Sequence, residues 1–394
     1  MDFETIKNDE QQYMMHAYGR FPVALVSGKG ATATDVNGKE YIDFTSGIGV
    51  NSLGYCDEGW TKAVSAQAAA LQHISNLYYS PLQTEVAKKL CSLADMKKVF
   101  LCNSGAEANE CAIKVARKYS FDKYGGGRQK IVTLVNSFHG RTVTTLAATG
   151  QDVFHNYFFP FTEGFAYAKA NDIDDLKAAV TDDVCAVLIE LIQGEGGVMP
   201  LDKEFVQAVA ALCQEKDILL MVDEVQTGIS RTGHFFCYQG YGLQPDVVTA
   251  AKGLGGGLPI GACLCSDKTA EVFVPGTHGT TFGGNPIACA AAKEVLSRVA
   301  EPAFLQEVSE KGAYIREKLA SIGNVKEVRG QGMMIGIVTE KDNAKEMAGK
   351  CLENGLLILT AKNLLRMLPP LIITEAELDE AAAILEKTLK EKTE

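Results

Sequence analysis

Between about residue 57 and residue 290, short continuous apolar runs alternate with stretches whose apolar residues recur every three or four positions. Lys98 to Cys102, Ile131 to Val135, Val184 to Leu191 and Ile218 to Val222 are runs of strand length. Between them Ala108, Cys111, Ala112, Val115, Ala116 and Tyr119 fall on one helical face, as do Phe205, Val206, Val209, Leu212 and Cys213. Apolar strands that alternate with amphipathic helices predict crossover units and a mostly parallel central sheet covered by helices, an α/β fold.

The texture differs on either side of this region. Gly28-Lys29-Gly30 and Asn37-Gly38-Lys39 read as turns between short strands, so residues 1–55 are expected to form a small antiparallel unit. After Pro286 a helical stretch, Ile287 to Val299, leads into a smaller α+β tail. Its strands are expected near Val325 to Val328, Met333 to Val338 and Leu356 to Leu359. Thr374 and Glu377 form a capping box ahead of the last helix, with Leu378, Ala382, Leu385 and Leu389 on one face. The predicted organisation is an N-terminal segment, 1–55, packing with a C-terminal small domain, 290–394, and a large domain, 56–289, between them.

Composition narrows the function. The chain has 394 residues, 46% hydrophobic and 22% charged, and a net charge of −11. No segment concentrates Lys and Arg, which argues against nucleic acid or an anionic membrane as partner. No apolar run has the length of a membrane span. The first ten residues carry Asp2, Glu4, Asp9 and Glu10 and no apolar core of a secretory signal, so a cytoplasmic location is expected. Eleven cysteines lie scattered, mostly within apolar runs, as reduced thiols do. Cys263 and Cys265 have no matching second pair, so no metal site is expected.

The chemistry is carried by Lys252 and Asp223. One strand-like run ends in Asp223 and the next in Lys252, followed by Gly253-Leu254-Gly255-Gly256-Gly257. That arrangement puts an acid and a lysine on one rim of a parallel sheet, where open α/β folds bind ligands. A buried lysine beside a carboxylate and glycines is what Schiff-base chemistry on a flat heterocyclic cofactor needs. Taken singly, the lysine reads as a solvated turn residue and the aspartate as a helix cap. Asn103-Ser104-Gly105-Ala106 lies between a strand and a helix, where first-turn amides hold phosphate, although Ser104 alone reads equally as a cap. Phe138, His139 and Arg141 follow another strand. Phe138 suits stacking on a heterocycle and Arg141 suits a substrate carboxylate, while His139 reads as a packing or supporting residue. Glu190 and Glu195 flank Gln193-Gly194, and Arg366 stands among apolar residues and needs a partner. Thr280 and Thr281 sit in a glycine-rich loop of the kind that contacts phosphate.

Together these stretches resemble the class III, fold-type I aminotransferases that use pyridoxal phosphate, over nearly the whole chain. The most specific are Val222-Asp223-Glu224-Val225-Gln226-Thr227-Gly228 with Arg231-Thr232-Gly233, the Lys252 glycine turn, and the Thr280-Thr281 loop. Within the class the chain is most similar to the branch whose donor is N-acetylornithine, through Gly19 to Val23, Asp43 to Ile48, Ser75 to Tyr79 and Leu368 to Leu371. The resemblance implies that Lys252 carries the cofactor as a Schiff base and moves the proton. It assigns Asp223 to the ring nitrogen, Gln226 to the ring oxygen, and Phe138 and Val225 to the two ring faces. Ser104, Gly105 and Ala106 are expected at the phosphate, joined by Thr281 from the partner subunit of a homodimer. Arg141, with Thr280 nearby, is assigned to a substrate carboxylate. Glu195 is expected to pair with Arg366 when the amine donor binds and to release it for glutamate.

The implied reaction passes the δ-amino group of N-acetyl-L-ornithine to 2-oxoglutarate, a step of arginine biosynthesis. Alternatives are donors such as succinylornithine, ornithine, succinyl-diaminopimelate or 4-aminobutyrate, or a catalytically silent ligand-sensing relative. A lysine-dependent aldolase on a barrel lacks the eightfold strand–helix count. Two stretches depart from the class: Gly54-Tyr55-Cys56-Asp57-Glu58, and Leu191 where a proline is usual. Ile48 stands where ornithine aminotransferases usually have tyrosine, and an apolar wall there suits an acylated nitrogen better than a free ammonium.

Overall fold

A computed structural model describes residues 1–340 and 343–390. The last four residues of the expected C-terminal unit therefore lie outside the described residues. Three short strands, β1 (Leu25–Lys29), β2 (Thr32–Asp35) and β3 (Glu40–Asp43), form an antiparallel meander near the N-terminus. A helix that the apolar spacing did not predict, Phe3–Tyr13, precedes them. The Asp2 carboxylate caps it by accepting from the Thr5 amide, and it buries no residue.

The central sheet has seven strands: β4 (Lys98–Cys102), β5 (Lys130–Leu134), β6 (Phe165–Ala168), β7 (Val184–Ile189), β10 (Leu219–Asp223), β11 (Val247–Ala250) and β12 (Gly261–Cys265). A two-residue hairpin, β8 (Ile192–Gln193) with β9 (Met199–Pro200), branches off after β7. The apolar run Val184 to Leu191 is therefore broken at Glu190. The strand order is β4-β12-β11-β10-β7-β5-β6. Within it β11-β10-β7-β5-β6 run parallel, and β12 alone runs against both neighbours. This is the mostly parallel α/β sheet that the alternating pattern predicted, and it accords with the fold-type I architecture that the resemblance implies. Its interior strands are apolar on both faces because helices such as Gly105–Tyr124 and Lys203–Glu215 cover it.

C-terminal to the helix Pro286–Val299, β13 (Val325–Gln331), β14 (Met334–Thr339), β16 (Leu359–Ala361) and β17 (Leu364–Met367) form a second antiparallel sheet with its own core. The strand expected near Leu356 to Leu359 is divided. Its first half, β15 (Leu356–Leu357), pairs with β3 and completes the N-terminal sheet. The N-terminal segment is further tied to the C-terminal unit by Leu368 N to Phe44 O at 2.8 Å and Leu371 N to Ser52 O at 2.9 Å.

A buried guanidinium joins the central and C-terminal units. Arg231 is 2% exposed and donates to the carbonyls of Met333 (3.2 Å) and Pro369 (2.5 Å). The Met333 amide in turn donates to the Arg231 carbonyl at 2.9 Å. Burial pushes this guanidinium down to about 9.

Candidate active site

The carboxyl ends of the parallel strands carry the site, as the topology of an open α/β sheet requires. Asp223 is the last residue of β10, and Lys252 lies two residues beyond β11. Ser104 follows β4, Phe138 and His139 follow β5, and Glu190 follows β7. Ser104, Gly105, Ala106, Phe138, Arg141, Asp223, Val225, Gln226 and Lys252 all line one cavity of about 480 Å³. The structure thus brings together residues up to about 150 positions apart in sequence, a separation read from their numbers.

Lys252 opens a single tight turn, Lys252–Leu254, rather than extending β11. Its φ of +43° is left-handed, a conformation costing about 1–3 kcal/mol that the surroundings must hold in place. Gly253 makes the turn possible, because a Cβ there would come within 2.7 Å of Ser52 Oγ. Desolvation at the half-buried cavity wall holds the Lys252 amine below the ordinary lysine range, against the opposing pull of Glu195. An amine so placed gives up its proton more readily than a free lysine, as a nucleophile requires.

Asp223 is 4% exposed and fully braced. Its Oδ2 accepts from Asn109 Nδ2 at 2.7 Å and from His139 Nδ1 at 2.8 Å, and its Oδ1 accepts from the Val225 amide at 3.0 Å. Asn109 is held in turn by the Thr249 hydroxyl, at 2.7 Å. His139, read from sequence as a packing or supporting residue, touches the carboxylate that faces the cavity and so supports it. Three donors on one buried carboxylate fix its direction.

Two features fit a flat ring with an anionic tail. The helix Gly105–Tyr124 starts at the cavity wall, capped by Ser104 Oγ accepting from the Glu107 amide at 3.2 Å. The amides of Gly105 and Ala106 have no carbonyl a turn earlier within the helix, so they are donors for an anion. A Cβ at Gly105 would lie 2.6 Å from Val225 Cγ1, so only glycine lets the helix start approach this closely.

Glu190, buried beside the cavity, accepts from the Phe138 amide at 2.8 Å and the Gly194 amide at 3.3 Å. Burial pushes its carboxyl up to about 7. It pins the Phe138 loop to the hairpin that carries Glu195.

The two arginines are held differently. Arg366, on β17 and 3% exposed, donates through Nη1 to Glu195 Oε1 at 2.6 Å and to Gln226 Oε1 at 3.2 Å. Its Nε is buried without a partner among the described residues. Arg141 makes no ion pair or hydrogen bond among the described residues. Its guanidinium lies over Phe154 at 4.1 Å and over Phe138 at 5.2 Å from the ring centroids.

Thr280 and Thr281 are not brought into the Lys252 cavity. They line a separate groove with Ser75, Asn76 and Leu77, and Thr280 reaches the cavity edge only through Asn103 Nδ2, at 3.3 Å. Ile48 is 44% exposed on a left-handed turn, and Val50 lines the cavity instead. Of the departing residues, Asp57 caps the helix Glu58–Ala70 and pairs with Arg298, and Leu191 is buried in the core. Both serve packing. Sequence reasoning assigned no role to Asn109 or Phe154. Asn109 had a signal, an amide on the apolar face of a helix. Phe154 had only its place in the aromatic stretch Phe154 to Phe161.

Comparison with known proteins agrees along the chain. The family profile of Aminotransferase class-III matches residues 13–389. An acetylornithine aminotransferase of Haemophilus ducreyi is 52% identical over 99% of this chain and 100% of its own length. That of Caldanaerobacter subterraneus is 50% identical, over 97% and 98%. Among solved structures, the ornithine aminotransferase from Toxoplasma gondii superposes with a TM-score of 0.94 at 32% identity, over 99% of this chain and 95% of that one. The N-acetylornithine aminotransferase from Stenotrophomonas maltophilia gives 0.84 at 36% identity, over 97% and 98%.

Proposed function

The chain belongs to the class III aminotransferases, and from that premise we infer that it transfers the δ-amino group of N-acetyl-L-ornithine to 2-oxoglutarate. Its cofactor is pyridoxal phosphate, whose carbonyl exchanges partners with amines and whose ring withdraws electrons from the carbon that bears the nitrogen. The observation that carries the reading is the placement of Lys252 and Asp223 at the ends of adjacent parallel strands in one cavity. The relatives' shared name supports the donor, and with it a place in arginine biosynthesis.

Each residue has a task in this reading. Lys252 would hold the cofactor through its amine and would carry the proton from the amine-bearing substrate carbon to the carbonyl carbon of the cofactor. Asp223, braced by Asn109, His139 and the Val225 amide, holds a proton at the ring nitrogen. Phe138 and Val225 enclose the ring faces, and Gln226 meets the ring oxygen. Ser104, Gly105 and Ala106 receive the phosphate. Arg141 takes a substrate carboxylate. Glu195 neutralises Arg366 while the donor is bound and yields it when glutamate or 2-oxoglutarate brings a second carboxylate.

We also propose a homodimer in which Thr281 completes the phosphate site of the neighbouring subunit, with Thr280 near that subunit's substrate. Support comes from the groove they line outside their own cavity, and from exposed Leu77, Tyr78, Tyr79 and Phe282 around it. No helix among the described residues is long and apolar enough to cross a membrane. The cytoplasm is the proposed location.

The test is a panel of amine donors with 2-oxoglutarate, comparing kcat/KM. N-acetylornithine is expected to lead, followed by succinylornithine, with ornithine, succinyl-diaminopimelate and 4-aminobutyrate behind. A higher value for ornithine or 4-aminobutyrate overturns the assignment of donor.

A further inference from the structure

We propose that Phe154 is a positioning residue for substrate carboxylates: its ring is the shelf that aims the Arg141 guanidinium while leaving the N–H edge free. The proposal rests on the reading that Arg141 receives the carboxylate.

The geometry sets Arg141 apart from Arg366. A carboxylate partner orients a guanidinium but occupies the donors a substrate needs, as Glu195 does at Arg366. An aromatic face holds the cation through its ring quadrupole and uses none of the five N–H groups. Arg141 lies 4.1 Å from the Phe154 centroid, closer than to Phe138, and lines the cavity with no ion pair or hydrogen bond among the described residues. The Phe138 ring meets Phe154 edge to face, with centroids 6.0 Å apart and planes at 76°. Phe154 thus touches both the carboxylate-binding arginine and the aromatic ring that faces the cofactor.

Its own position is built rather than incidental. Phe154 closes a short turn, Asp152–Phe154, whose amide donates to Gln151 O at 3.0 Å. Gln151 Nε2 donates to Ser137 O at 3.0 Å, in the loop that carries Phe138. His155 Nε2 then bonds the Leu146 carbonyl at 2.9 Å, fixing the far side of the turn. Beyond it Tyr157, Phe158 and Phe159 are 82%, 55% and 71% exposed, whereas Phe154 is held against the cavity wall.

The test uses the holoenzyme with Phe154→Leu, Phe154→Tyr, and pentafluorophenylalanine at position 154, which keeps the shape and reverses the ring's quadrupole. Binding of glutarate, a dicarboxylate with no amine to transfer, is measured by calorimetry. KM and kcat are measured for N-acetylornithine and for N-acetyl-1,4-diaminobutane, which has the reacting amine and acyl group but no carboxylate. Leucine and the fluorinated ring should each weaken glutarate and raise KM for N-acetylornithine about fivefold, with kcat less affected. Tyrosine should stay within about twofold of the parent. The carboxylate-free donor should lose much less in every variant. Arg141→Met should weaken glutarate further, and adding Phe154→Leu to it should then cost nothing more.

Equal losses for both donors, or an unchanged affinity for glutarate with the fluorinated ring, overturn the role of Phe154. An Arg141→Met protein that binds glutarate as well as the parent overturns the reading of Arg141 itself. If Phe154→Leu does not fold, the fluorinated and tyrosine variants decide the matter.

Discussion

Replacing Glu195 by glutamine should separate the two half-reactions. The carboxylate lies 2.6 Å from Arg366 Nη1, with the arginine side chain 4% exposed and the glutamate side chain 30% exposed. A surface pair would contribute at most about 1 kcal/mol, and breaking a fully buried one would cost about 3–5 kcal/mol. A pair with one end buried and one end partly in water belongs between these limits, at about 2 kcal/mol, or roughly thirtyfold in a rate or binding constant. In Glu195→Gln the Arg366 charge is no longer neutralised. Glutamate, whose two carboxylates meet Arg141 and Arg366, should react as well as before or better. N-acetylornithine has one carboxylate, which must reach Arg141 to bring the δ-amine to the reacting carbon. The freed Arg366 should capture it in the wrong place, so the ratio of the two specificity constants should move by roughly thirtyfold toward glutamate. Stopped-flow absorbance of the bound cofactor follows each half-reaction in a single turnover. Equal loss in both would refute the reasoning and leave Glu195 a general support of the pocket.

Three further outcomes are expected. Asp223→Asn should retain the cofactor but lose turnover on the order of a thousandfold, because a neutral amide no longer holds the ring nitrogen protonated; near-normal single-turnover rates would give the acid another part. Mixing Lys252→Ala with Thr281→Ala protein should restore activity through hybrid dimers having one intact site, and no recovery despite proven hybrids would exclude a shared site. Glu224 is fully buried, accepts from Thr227 Oγ1 and the Tyr238 amide, and is pushed up by burial to about 7 from 4.5. The folded state therefore binds a proton that the unfolded state has lost between those values, and the stability linked to Glu224 falls as pH rises from 4.5 through 7. Relative to Glu224→Gln, the parent should lose about 3 kcal/mol between pH 4.5 and 8 in denaturant titrations, and a pH-independent difference would contradict the buried, protonated carboxyl.

The positions of chemistry were more legible than the paths between them. Asp223 and Lys252 stand at the ends of apolar runs that read as buried strands, so their shared rim followed from parallel pairing alone. The direction of β12 did not follow, because Gly261–Cys265 is as apolar as the parallel strands of the same sheet and direction leaves no mark on composition. The helix Phe3–Tyr13 escaped notice because it buries nothing and so has no apolar stripe to read. Arg366 announced its need for a partner by its apolar surroundings. That the partner is Glu195, 171 positions away, is a fact of tertiary structure. The brace behind Asp223 was half visible: Asn109 is an amide where the helical pattern calls for an apolar residue, and buried amides must bond to something. Phe154 gave no such sign, because a ring used for its face looks in sequence like any other core or surface aromatic.

The buried guanidinium of Arg231 has a consequence for how this chain can vary. Its two acceptors are backbone carbonyls, at Met333 and Pro369, so no single side-chain replacement in the C-terminal unit removes them. They lie 102 and 138 positions from the arginine, on different segments, and both must arrive together. A chimaera that takes its C-terminal unit from a relative would keep the cation only if both backbone segments superpose. A fragment cut near residue 290 would expose a charge evolved for a dry interior. Inheritance across that boundary is therefore joint: the two halves can drift in sequence, but their main chains must be passed on as a matched set.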